Sequence, residues 1–167
     1  QRLIRPELST DDRTILIVDD EENILSALTR LLRRDACRVL TCTSAKQALE
    51  VLALNQVQVI LSDQRMPEIS GTEFLSQVKD MYPDTIRIVL SGYTDLRSVT
   101  DAINKGAIYK FMTKPWQDDE LRREIKQACA QYQLQISNKK EIFFICYISS
   151  LVNVLKLLFL YGRTINL

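Results

Sequence analysis

Apolar and polar positions along this chain change period at regular intervals, and the changes mark out five strand–helix units. Residues 14–18, TILIV, are an uninterrupted apolar run that stops on Asp19 and Asp20. A short β-branched run without alternation reads as a strand buried on both faces. Glu21 and Glu22 then lead into Ile24, Leu25, Leu28, Leu31 and Leu32, the spacing of one helix face with acidic residues at its positive end. Residues 38–41 read as a second strand, and Thr43-Ser44 caps a helix to about residue 54, with Ala45, Ala48, Leu49 and Leu52 inward. The run VQVILSD at 57–63 predicts a third strand ending on Asp63, and Pro67 marks where regular structure has stopped. A helix over 72–81, a Tyr82-Pro83-Asp84 turn and a fourth strand over 85–90 follow, the strand running into Ser91-Gly92. A helix over 95–105 has Gly106 at its C′ position, and a fifth strand over 107–113 ends on Lys114-Pro115. A last helix begins near Gln117, with Asp118, Asp119 and Glu120 in its first turn.

Five βα units in succession predict an α/β, doubly wound domain, a parallel sheet with helices on both faces. At 167 residues the chain has room for one such domain and an appendage. Residues 1–13 are a lead-in, the domain covers 14–133, and 134–167 form an extension. Gln1 as first residue implies processing or a longer parent, and no signal-peptide pattern precedes the first strand.

If all five strands point the same way, Asp19, Asp20, Asp63, Ser91 and Lys114 meet at the carboxyl edge of the sheet, where open α/β sheets bind ligands. Asp63 taken alone could equally be a loop cap; its neighbours decide. Lys plus Arg is 22 and Asp plus Glu 21, a net charge of +1, and there is no basic stripe of the kind that binds nucleic acid. The chain has no His, which removes Ser-His-Asp, Cys-His and zinc-hydrolase chemistry together. Four cysteines without a CxxC pair read as idle thiols in a reducing cytosol. Crowded carboxylates repel one another unless a cation sits among them, and oxygen-only ligands select a hard one, Mg²⁺. A hydroxyl and an ammonium beside it make a pocket for phosphoryl oxygens, with the ionised Asp63 as nucleophile.

The strings VDDEENIL, DQRMP, LSGY and KPW, in this order and spacing, resemble the receiver domain of two-component response regulators over residues 14–133. The resemblance implies a flavodoxin-like strand order, 2-1-3-4-5. It implies that Asp63 is the phospho-acceptor, that Asp20 and Asp63 bind Mg²⁺ directly, Asp19 through water, and that the Arg65 backbone carbonyl completes the protein ligands. Ser91 and Phe111 fall at the switch positions, where Phe111, lacking a hydroxyl, acts by burial or is an ordinary core aromatic. Lys114 falls where the family pairs a lysine with the phosphoryl group, before an expected cis bond to Pro115. Arg65 and Tyr93 are large side chains flanking the path of an attacking water, which predicts slow self-hydrolysis. The stretch GAIYKFMTKPW is similar to receivers attached to cyclic-di-nucleotide signalling domains.

The implied function is a phosphorylation-activated switch, not an enzyme beyond its own phosphorylation and slow dephosphorylation. The expected partner is a sensor histidine kinase or phosphotransfer protein in the cytoplasm. Two rivals stand beside it: a receiver-shaped interaction module that is never phosphorylated, and a cofactor-binding flavodoxin-like domain. The acidic run from Asp19 to Glu22 would repel a bare phosphate and disfavours the second.

The last helix runs on past the domain as Leu121, Ile125, Ala128, Tyr132 and Gln135 at 4-3-4-3 spacing, a spacing that Ser137-Asn138-Lys139-Lys140 breaks. Beyond it, residues 142–155 carry no charge, and Lys156 is followed by LLFLY. That run favours packing on the receiver or on a second chain, with a non-native or truncated tail as a further reading; a homodimer is expected through this segment or through the face of the fourth helix, fifth strand and fifth helix. Membrane contact ranks behind. No output motif is visible in 134–167.

Overall fold

The computed structural model describes residues 13–92 and 96–164. Five strands alternate with helices: β1 (Thr14–Val18), α1 (Glu22–Leu32), β2 (Arg38–Cys42), α2 (Ala45–Leu54), β3 (Val59–Asp63), α3 (Gly71–Met81), β4 (Ile86–Ser91), α4 (Leu96–Asn104), β5 (Lys110–Thr113) and α5 (Asp118–Thr164). A short 3₁₀ turn, Arg33–Asp35, follows α1. All pairings are parallel and the sheet order is β2-β1-β3-β4-β5, the doubly wound arrangement the repeated βα pattern called for.

Every residue of β1 and of β3 is buried, as their unbroken apolar runs demand. Leu16, Val18, Ile60 and Val89 point to one side and pack with Ala48 and Leu52 of α2, Phe74, Leu75 and Val78 of α3, and Val99 and Ala102 of α4. Side chains alternate along a strand, so Ile15, Ile17, Val59, Leu61, Ile88 and Leu90 serve the opposite face. There α1 buries Leu25, Leu28, Leu31 and Leu32, and the first turns of α5 bury Leu121, Ile125, Ala128 and Tyr132.

Several element ends differ from the pattern-based expectation, each for a local reason. β3 starts at Val59 rather than at 57, because the Val57 carbonyl accepts from the Thr85 hydroxyl (2.9 Å) instead of from a strand. The Thr85 N–H donates to the Tyr82 carbonyl (3.2 Å) and so belongs to the turn before β4, which starts at Ile86 and runs to Ser91. β5 begins at Lys110 because Ala107 still belongs to the end of α4. The Gly106 N–H donates to the Ile103 carbonyl and the Ala107 N–H to that of Ala102, both at 2.8 Å, with Gly106 at φ +67°. That is a Schellman closure, and Gly106 takes the expected C′ place. The expected start of α4 at Asp95 lies outside the described residues.

Two helix ends were not anticipated. α3 opens with a capping box in which Ser70 accepts from the Glu73 N–H (3.3 Å) and Glu73 from the Ser70 N–H (3.1 Å). And α5 continues as one helix through residues 137–140, where the apolar spacing breaks, since Ser, Asn and Lys cost a helix only tenths of a kcal/mol each and neither Gly nor Pro is present. The chain divides into two compact units, the first ending at Tyr132 and the second starting at Gln133. In the second unit, every residue from Ser137 to Tyr161 is exposed.

Candidate functional site

Parallel pairing in register brings the ends of β1, β3, β4 and β5 to one edge of the sheet. Asp63 closes β3 opposite Leu90, Ser91 closes β4 opposite Thr113, and Asp19 follows Val18, which faces Ser62. Carboxylate oxygens of Asp19, Asp20 and Asp63 lie within 4.8 Å of one another. Asp19 and Asp63 are buried, at 1% and 7% exposure, and Asp20 faces solvent. Asp19 is fixed from below: its Oδ1 accepts from the Glu21 N–H at 2.9 Å, so it also serves the start of α1. Glu21 itself makes no side-chain cap.

The Lys114 ammonium reaches back from the end of β5 to bridge two of these acids. Its Nζ lies 2.8 Å from Asp19 Oδ2 and 2.6 Å from Asp63 Oδ1. The other oxygen of Asp63, Oδ2, accepts from the Arg65 N–H at 2.9 Å. Burial pushes the Asp63 carboxyl above its ordinary pKa, and the Asp19 charge adds to this, while Lys114 and the Arg65 N–H hold it back. Burial pulls the Lys114 ammonium down, but its bonds to Asp19 and Asp63 outweigh that and leave it above the usual lysine value. Three carboxylates against one ammonium, 3 − 1, leave a surplus of two negative charges at the sheet edge. An all-oxygen donor set with that surplus fits a hard divalent cation.

Ser91 is 1% exposed, and its hydroxyl donates to the Gly92 carbonyl at 3.1 Å. It is tied to the lysine through the main chain, as the Lys114 N–H donates to the Ser91 carbonyl at 2.9 Å. The Lys114-Pro115 bond is cis. Phe111 is half-buried and packs against the core cluster on the α3–α4 side of the sheet. Arg65 holds its main chain at Asp63 while its side chain is exposed. Tyr93 lies outside the described residues.

Two positions that hold the site were missed in the sequence. A Cβ on Gly71 would overlap the carbonyl oxygen of Asp63 and sit 2.9 Å from its carbonyl carbon, so only glycine fits there. Gln64 is buried at 5% exposure; its amide accepts from the Thr72 N–H (3.0 Å) and donates to the Thr72 hydroxyl (3.2 Å). Together with the Gly71 N–H on the Gln64 carbonyl (2.9 Å), these contacts clamp the loop that leaves Asp63. The Ser-x-x-Glu string at 70–73 was the readable signal for the helix start behind it.

A five-stranded parallel sheet in this order, carrying an acidic triad, a serine and a lysine at its carboxyl edge, has the architecture of a two-component signalling receiver. The chain belongs to the response regulator receiver domain family, which matches residues 15–126. Over 128 residues it is 42% identical to the hydrogenase transcriptional regulatory protein HoxA of Cupriavidus necator, covering 77% of this chain and 26% of HoxA. It therefore spans about a quarter of the length of the curated relatives it matches. The signal receiver domain of an HD domain-containing protein from Pseudomonas fluorescens Pf-5 superposes with a TM-score of 0.72 at 35% identity, over 76% of this chain and 93% of that one. The beryllofluoride-activated NtrC4 receiver domain dimer superposes with a TM-score of 0.67 at 31% identity, over 71% and 98%. Phosphorylation and Mg²⁺ are typical of the family.

Proposed function

We propose that this chain is a phosphorylation-activated switch that takes a phosphoryl group onto Asp63 from the phosphohistidine of a sensor kinase or phosphotransfer protein. The observation that carries this is the buried Asp63 carboxylate, bonded to Lys114 and the Arg65 N–H, beside two further acids and a surplus of two negative charges. A carboxylate is already ionised near neutral pH, so the nucleophile needs no base and the absence of His is no obstacle. An Asp63 oxygen bonds to phosphorus as the phosphorus–nitrogen bond breaks, and the imidazole leaves with the electron pair. Bound Mg²⁺, held by Asp20 and Asp63, by Asp19 through water and by the Arg65 carbonyl, would supply charge neutralisation for the transferring group. Lys114 exchanges its bond to Asp63 for one to a phosphoryl oxygen. Ser91 turns its hydroxyl from the Gly92 carbonyl to a second phosphoryl oxygen.

The readout is the surface of α4, β5 and α5, with Phe111 moving inward or holding its place as core. Likeness to the NtrC4 receiver domain dimer supports homodimerisation, which this reading places on that face. The likeness to HoxA, a transcriptional regulatory protein, supports an output in transcriptional control. The receiver unit works in the cytoplasm, and its own chemistry ends with slow loss of the phosphoryl group, screened by Arg65 and Tyr93.

Intact mass after incubation with Mg²⁺ and acetyl phosphate tests the assignment, with Asp63→Asn alongside. One phosphoryl group should be gained, and lost both in the variant and on removing Mg²⁺. No gain with a folded chain would overturn it and leave a receiver-shaped interaction module.

A further inference from the structure

Residues 142–161, IFFICYISSLVNVLKLLFLY, hold one charge in twenty positions and are helical throughout. This helix is the one segment among the described residues long and apolar enough to cross a membrane. Two ordinary explanations for such a run fail here. It is not a core helix, because none of the apolar window is buried, with Phe143 at 75%, Leu158 at 64% and Phe159 at 65% exposure. It is not a secretory leader, because a folded α/β unit precedes it in the chain.

The distribution of side chains around the helix selects the partner. At 3.6 residues per turn, Lys156, Ser149, Asn153 and Cys146 fall within an arc of roughly 80°. The rest of the circumference is almost wholly apolar. A second copy of the helix covers a stripe roughly 100° wide, which would leave much of that surface in water. A bilayer covers the whole of it. Twenty helical residues span about 30 Å, the thickness of the hydrocarbon core. Lys156 lies five positions before Tyr161, about 8 Å along the axis, within reach of the interface for a snorkelling lysine. Lys139, Lys140 and Glu141 place charged groups immediately before the run, and Tyr161 places an aromatic at its far end. We propose that residues 142–161 insert into a lipid bilayer as a single helix and tether the receiver unit to a membrane.

The full chain should be made in the presence of phosphatidylcholine–phosphatidylglycerol vesicles and floated on a density gradient, beside Leu151→Asp/Leu158→Asp. These leucines are on the apolar arc and in the second unit, outside the receiver site. The parent chain is expected to float, to stay with the vesicles through high salt and alkaline carbonate, and to shield Cys146 from an impermeant maleimide until detergent is added. The double variant should float at least about tenfold less. A parent chain that stays in the aqueous fraction, as monomer or oligomer, would overturn the proposal. So would release by salt alone, or a variant that floats as well as the parent. Phosphoryl gain on Asp63, measured on both chains, reports the receiver separately, so failure of the anchor and failure of the switch are told apart.

Discussion

Gly71→Ala offers the sharpest test of how the site is held. The added methyl would overlap the Asp63 carbonyl oxygen and come within 3.0 Å of the Gln64 Cα, both of them main chain. Neither can swing aside as a side chain would, so the β3–α3 loop must move, straining or breaking the 2.9 Å bond from the Gly71 N–H to the Gln64 carbonyl. Overpacking of about 1–3 kcal/mol plus a lost hydrogen bond of about 1 kcal/mol gives a destabilisation of about 2–4 kcal/mol. The displaced atoms include the Asp63 carbonyl and the start of the Arg65 loop, so Mg²⁺ affinity should fall about tenfold or more. Urea melts measure the first effect. Mg²⁺ titration of the fluorescence of Trp116, the chain's single tryptophan and two residues beyond Lys114, measures the second. Gly106→Ala is the control. There φ is +67° but the space is open, the nearest atom being the flexible Lys79 Nζ at 3.6 Å. It should cost about 1 kcal/mol of backbone strain and leave Mg²⁺ binding alone. If Gly71→Ala melted and bound Mg²⁺ like the parent, the close packing of this loop on Asp63 would be refuted.

Asp35 pairs with Arg122 through two 2.8 Å bonds and with Lys126 at 2.9 Å, and Arg122 above all holds its carboxyl well below the ordinary range against the opposing effect of burial. A depressed folded pKa contributes stability above the unfolded value of about 3.9, lost as pH falls through the folded value. Asp35→Asn should therefore cost about 1–2 kcal/mol at pH 7 in urea melts, with the exposed Lys126 discounted, and progressively less below about pH 4. Ser70→Ala removes the capping box and should lower stability by about 1 kcal/mol in the same assay. Burial pushes the Cys129 thiol up to about 11, and burial also raises Cys37 and Cys42, whereas Cys146 is exposed. Ellman's reagent at pH 8 in lipid-free solution should meet one fast thiol, and Cys146→Ser should abolish that phase.

Local chemistry was legible where it is written within a few residues. The unbroken runs of β1 and β3, the Ser44 cap, which accepts from the Gln47 N–H at 3.3 Å, and the closure at Gly106 all follow from short-range pattern. Parallel βα repetition then carried the convergence of Asp19, Asp20, Asp63, Ser91 and Lys114 on one edge, because strands that point one way end on one side. The capping box at Ser70 is equally local, with Ser and Glu three positions apart as its signal. Other features belong to contacts between distant segments, which no period in the sequence encodes. Lys114 meets Asp19 across 95 positions, and Arg122 meets Asp35 across 87. Only the folded loop shows that Gly71 must be glycine, since its constraint is the approach of the Asp63 carbonyl and not its own dihedral angles. The start of β5 moved because a helix closure took Ala107 first. The uninterrupted α5 and the exposure of residues 142–161 also had to be seen in three dimensions, because an apolar run states what a segment avoids, and only the fold decides whether protein is there to cover it.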